Sequence, residues 1–166
     1  MSTALPRKPR SFEASLSVCI VRSTYNEQYT QALLDNCISE LTEILPNAKI
    51  SVIETPGAFE IPVAVEHAFE RIEPDVVIAL GVIIRGGTQH ADLIAASITN
   101  SLQQTAVSRI KPVIHEVLLV NDEDQAYARC IGSDLNRGKE AARAASQIIK
   151  TLSLPAEVHS VKKTPF

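Results

Sequence analysis

At 166 residues, with 45% hydrophobic and 21% charged side chains, the chain has the makeup of one ordinary globular domain and is too short for two. A net charge of −3 and only 4% aromatics, with no tryptophan, argue against a nucleic-acid partner, which needs a basic surface or a base-stacking platform. The apolar runs are strand-sized and the first residues lack a signal-peptide core, so no membrane is expected and the cytoplasm is the expected compartment. We read residues 1–166 as a single domain with an N-terminal arm over 1–15 and a C-terminal tail over 153–166.

In chain order, Leu16 to Val21 is a short apolar run that suits a buried strand. Leu33, Cys37, Ile38, Leu41 and Ile44 then recur on one helical face until Pro46 and Asn47 stop the pattern. Ile50 to Ile53 is a second strand, Pro56-Gly57 a turn, and Ile61, Ala64, Val65, Ala68 and Ile72 a second helix with Pro62 in its first turn. Val76 to Leu80 reads as a strand covered on both faces. A helix follows from His90 through Leu93, Ile94, Ile98 and Leu102, its other faces lined by small residues. Val113 to Val120 is the fourth strand, Asp122 and Glu123 open a short helix ending near Cys130, and Ala141, Ala145, Ile148, Ile149 and Leu152 mark the last helix. This order predicts an α/β fold with a four-stranded parallel sheet and helices on both faces.

Ligands of open parallel sheets bind beyond the carboxyl ends of the strands. The unusual residues gather there: Ser23 to Asn26, Thr55 to Glu60, Gly81 to His90 and Leu119 to Asp122. In the third stretch, two glycines, Thr88 and His90 stand where a strand gives way to a helix. Glycines that let backbone N–H groups converge on a helix start make an anion site, and His90 beside it can accept and return a proton. The segment lacks the Gly-Lys-Ser/Thr ending of a nucleotide P-loop. Cys19, Cys37 and Cys130 are read as reduced, buried small hydrophobes. With them, His67, His115 and His159 show no metal-ligand spacing, so no metal is expected.

Thr55-Pro-Gly-Ala-Phe-Glu-Ile-Pro62, followed by Ala79-Leu-Gly-Val-Ile-Ile-Arg-Gly-Gly-Thr-Gln-His90, resembles the lumazine synthase family. The likeness continues through Lys111 to Ile114, Gln125-Ala126, Arg129 and Asn136-Arg-Gly138, roughly residues 16 to 152. It implies a flavodoxin-like three-layer sandwich and the penultimate step of riboflavin biosynthesis. In that step 5-amino-6-(D-ribitylamino)uracil condenses with 3,4-dihydroxy-2-butanone 4-phosphate to 6,7-dimethyl-8-ribityllumazine, phosphate and water, without a cofactor.

By the same resemblance His90 is the proton shuttle, and Gly87, Thr88 and Arg129 hold the phosphate. Tyr25 stacks on the pyrimidine, with Asn26 beside it. Gly57, Ala58, Phe59 and Glu60 take the ribityl chain, and Val82, Ile83 and Ile84 present backbone to the pyrimidine edge. His115 stands where the family usually has a phenylalanine closing the pocket from an adjacent subunit, and Arg129 also comes from that neighbour. Glu116 replaces a usual glycine, Leu119 a common threonine and Ala128 a common acid. The resemblance further implies a homo-oligomer with sites between subunits, either a pentamer or a sixty-subunit shell, with riboflavin synthase as a partner. Two rivals are a riboflavin-synthase-like paralogue and a non-catalytic flavin-binding or shell protein. The basic segments Arg7-Lys-Pro-Arg10 and Lys162-Lys163 are read as solvated. Pro6 and Pro9 limit any pairing of the arm with a neighbour's sheet.

Overall fold

The computed structural model describes residues 5–12 and 15–153. His159, Lys162, Lys163 and most of the expected tail lie outside the described residues. Among them run β1 (Ser17–Ser23), α1 (Glu27–Ile44), β2 (Lys49–Thr55), α2 (Ile61–Arg71), β3 (Val76–Ile84), α3 (His90–Arg109), β4 (Val113–Val120), α4 (Glu123–Cys130) and α5 (Arg137–Ser153), with one 3-10 turn over Ala58–Glu60 before α2.

All strand pairs are parallel, in the order β2-β1-β3-β4. A parallel pair cannot be closed by a hairpin, so each connection carries a helix back across a sheet face. Side chains of β1 alternate between two cores. Val18 and Ile20 pack with Leu33 and Leu41 of α1 and Ala141 and Ile149 of α5. Cys19 and Val21 pack with Ile61 and Val65 of α2 and Ile98 and Leu102 of α3. The result is the expected three-layer α/β sandwich, with β2 and β4 as its edges. All three cysteines are free and buried, and burial pushes the Cys130 thiol up to about 12, as suits an inert hydrophobe.

The elements extend beyond the expected boundaries for identifiable reasons. β3 does not stop at Leu80, because Gly81 to Ile84 pair with Val117 to Val120 of β4. A Cβ on Gly81 would lie 3.1 Å from both Ile61 Cδ1 and Val117 Cγ1. This glycine is therefore a packing residue inside a strand that was expected to end just before it. α5 starts at Arg137, one turn before its apolar stripe, because Asn136 Oδ1 accepts the Lys139 N–H at 3.1 Å as an N-cap. Its Nδ2 donates to the carbonyls of Cys130 and Gly132, both at 3.3 Å, which holds the end of α4 against the start of α5.

Gly138 sets the approach of α5 to α1, since a Cβ there would meet the Leu33 carbonyl oxygen at 2.3 Å. Gly138→Ala must push the two helices apart and should cost about 1 to 3 kcal/mol of stability. Urea unfolding checks this, and an unshifted midpoint would mean that the helices separate freely.

Arg7, Lys8 and Arg10 of the basic arm are exposed, as read, while the arm itself is tied to its own chain. Pro6 O accepts from the Arg143 guanidinium, Arg143 Nε pairs with the buried Glu40 at 2.7 Å, and Lys8 pairs with Glu43. The Phe12 N–H donates to Ile44 O at 3.2 Å, and the Phe12 ring packs on the α1/α5 core. These residues of the arm therefore lie on the helices of their own chain.

Candidate active site

Four loops meet at the carboxyl ends of the strands. The N–H groups of Thr24 and Tyr25 donate to Thr55 O and Pro56 O at 2.8 and 3.1 Å, which joins the loop after β1 to the loop after β2. Asn26 sits in the left-handed region at φ 58°, a conformation its short polar side chain tolerates. Its Nδ2 donates to Val82 O at 2.9 Å. The side chain does not cap α1; it ties the start of that helix to β3 and so fixes Tyr25 beside the strand end.

The turn between β3 and α3 is held by a clamp that the sequence reading missed. The Arg85 N–H donates to Val120 O at 2.9 Å, and its guanidinium pairs with Asp92 Oδ1 at 2.7 Å and with Asn121. One side chain thus joins the ends of β3 and β4 to the first turn of α3. Gly86 and Gly87 turn the chain without a left-handed backbone, since no glycine among the described residues has a positive φ. A Cβ at either would meet no atom of the chain within 4 Å. The clamp shapes the turn, so the glycines need no special conformation. Thr88 Oγ1 accepts the His90 N–H at 3.4 Å at the start of the helix.

A cleft of about 580 Å³ brings together Tyr25, Asn26, Val82, Ile83, Ile84, Thr88 and His90, as expected, with Gly86, Ala91, Ile94 and Glu123. Gly87 is not among its lining residues. Gly57, Ala58, Phe59 and Glu60 are not among its lining residues either. Their turn is closed internally, with Thr55 Oγ1 donating to Gly57 O at 2.9 Å and the Gly57 N–H donating to Glu60 Oε2 at 3.0 Å. Phe59 and Tyr25 are both largely exposed.

His115 and Arg129 lie elsewhere. They line a second cleft of about 620 Å³ with Asp92, Thr99, Glu116 and Arg137, among others, and the two clefts share no residue. Helical spacing divides α3 between them: Ala91 and Ile94 face one, while Asp92, Ala95, Ala96 and Thr99 face the other. Arg129 lies in the last turn of α4, a helix capped by Asp122 Oδ1 accepting the Gln125 N–H at 2.8 Å. Burial pushes the Glu116 carboxyl up to about 7, against the pull of the Arg137 guanidinium. Arg137 went unassigned in the sequence, although the Asn136-Arg-Gly138 motif that contains it was noticed. Its neighbours serve to cap and pack the helix, which hides its place in the cleft.

The family profile of 6,7-dimethyl-8-ribityllumazine synthase matches residues 15–153. The chain belongs to the 6,7-dimethyl-8-ribityllumazine synthase family. With that it is a transferase of riboflavin biosynthesis. It is 32% identical to the 6,7-dimethyl-8-ribityllumazine synthase of Nitrobacter hamburgensis over 87% of this chain and 91% of that one. It is 36% identical to the enzyme of the same name from Bdellovibrio bacteriovorus over 90% of this chain and 80% of the other, and 33% to that of Coxiella burnetii over 84% and 93%. The matched span in this lumazine synthase family member contains both clefts and stops at the end of α5. No helix among the described residues is long and apolar enough to cross a membrane.

Proposed function

We propose that the chain condenses 5-amino-6-(D-ribitylamino)uracil with 3,4-dihydroxy-2-butanone 4-phosphate, giving 6,7-dimethyl-8-ribityllumazine, phosphate and water. The observation that carries this reading is the division of the family's site residues between two clefts on opposite faces of α3. One cleft holds His90, Thr88 and Tyr25, and the other holds His115 and Arg129. Each chain then presents its His90 half to one neighbour and its Arg129 half to another, and repetition of that contact closes a ring. Exposed Val63, Leu93, Val107 and Ile110 on and beside α2 and α3 supply apolar surface for such a contact. A pentamer, alone or within a sixty-subunit shell, is the assembly this reading predicts, and riboflavin synthase is the proposed protein partner.

The chemistry asked of the chain is imine formation, phosphate elimination, tautomerisation and ring closure. These are proton transfers and dehydrations that consume no external oxidant or reductant, and one well-placed base serves several of them. His90 moves the protons. The N–H groups around Thr88 at the start of α3, with the Arg129 guanidinium of the neighbouring chain, hold the phosphate through elimination. The proposed compartment is the cytoplasm, where three buried, unpaired cysteines stay reduced.

Absorbance of the lumazine product, followed after mixing the purified chain with both substrates, tests the proposal against an enzyme-free control. Acceleration supports it. No acceleration by an intact oligomer contradicts it. One rival draws on the altered wall at His115 and Glu116, and tight flavin binding without condensation would favour that rival.

A further inference from the structure

His115 stands on an edge strand, and both of its ring nitrogens are engaged within the chain. Nδ1 lies 3.1 Å from the backbone nitrogen of Val117, two residues further along β4. Nε2 lies 2.8 Å from Thr99 Oγ1 on α3, and Thr99 Oγ1 donates to Ala95 O at 2.8 Å. A backbone N–H can only donate, so Nδ1 must carry the lone pair and the ring proton must sit on Nε2. Nε2–H then donates to Thr99, whose own proton is already committed to Ala95. Each donor in this series has one acceptor. Protonating Nδ1 would set two N–H groups against each other.

We infer that His115 is a ring locked neutral, with both nitrogens satisfied by Val117 and Thr99, so that only its face and carbon edge meet the substrate. It selects an uncharged planar heterocycle, and Thr99 is its positioning residue. This inference rests on the placement of His115 in the substrate pocket proposed above. It also explains how a histidine can stand where the family usually has phenylalanine, since the locked ring offers an aromatic wall without a free polar edge.

The surroundings favour the neutral form. Burial holds the imidazole below its ordinary value. The charged and titratable groups lining the same cleft are Asp92 from α3, Glu116 from β4, Arg129 from α4 and Arg137 from α5. Asp92 is occupied by Arg85, and Arg137 pairs with Glu140. β3, on the other side of β4, spans Val76–Ile84 and contributes no titratable side chain.

The experiment follows imidazole ¹H–¹⁵N correlations of ¹⁵N-histidine-labelled full-length protein from about pH 5 to about pH 8, the range in which an ordinary histidine titrates. His115→Phe assigns the signal. The expected ring shows the Nε2–H tautomer and does not titrate at the ordinary value. Thr99→Val turns it into an averaging, titrating ring, and Thr99→Ser keeps the lock. An ordinary titration in the unmodified protein, or a Thr99→Val spectrum like the original, overturns the inference.

Kinetics supply the second readout. Thr99→Val should raise KM for the pyrimidine substrate about three- to tenfold, the scale of one hydrogen bond, with kcat within about twofold. In a His115→Phe background the same change should be silent, which a merely structural role for Thr99 would not produce. A locked ring with KM unmoved by Thr99→Val overturns the selecting role. A locked ring in a protein that accelerates no condensation overturns the proposed function and leaves the lock standing.

Discussion

In the His90→Ala protein the condensation is expected to run about ten- to a thousandfold slower, the scale of one lost proton-transfer group. The substitution is clean. His90 is exposed as the first residue of α3, and its hydrogen bond to Thr88 is made by the backbone, which alanine retains. Its imidazole makes no hydrogen bond among the described residues, so alanine leaves no buried partner unsatisfied. A rate loss without a shift in unfolding midpoint would therefore report chemistry. An unchanged steady-state rate in a properly assembled variant would remove His90 from its role.

Arg129→Ala should act differently, raising KM for the butanone phosphate about ten- to a hundredfold with a smaller change in kcat. Hydrogen bonds to a charged group contribute about 1.5 to 3 kcal/mol, which corresponds to that range. Among the described residues Arg129 makes one weak hydrogen bond, Nη1 to Gln125 O at 3.3 Å, so most of its fork is available to an anion. Steady-state kinetics with each substrate varied in turn decides the point. A selective loss of pyrimidine affinity would contradict the phosphate assignment.

The sheet and its order of elements were legible because burial imposes periodicity and parallel strands impose crossovers. What escaped was set by contacts that leave no periodic trace. Gly81 and Gly138 each stand close against a distant element, Ile61 and Val117 for one and Leu33 for the other, which their place in the sequence does not show. The Arg85 clamp joins residues up to 36 positions apart, and no local pattern announces it. Asn26 makes no side-chain cap on α1 and donates to Val82 O on β3, a contact between residues 56 positions apart.

The separation of His90 from His115 and Arg129 follows from the winding of α3, which presents Ala91 and Ile94 to one cleft and Asp92 and Thr99 to the other. The sequence alone could name these residues but could not place them apart. The family resemblance supplied the idea of a neighbouring subunit. In one chain the two groups of residues line separate clefts, and the proposed neighbour would bring them together.

The central claim is a site completed by two chains, and mixed assemblies test it most directly. His90→Ala and Arg129→Ala chains, each slow alone, are unfolded, mixed in equal amounts and reassembled. Random mixing leaves about a quarter of the composite sites with an intact His90 facing an intact Arg129. The account predicts recovery of about a quarter of the unmodified activity at low butanone phosphate. Activity no higher than the average of the two parents, in assemblies shown to contain both chains, would contradict it.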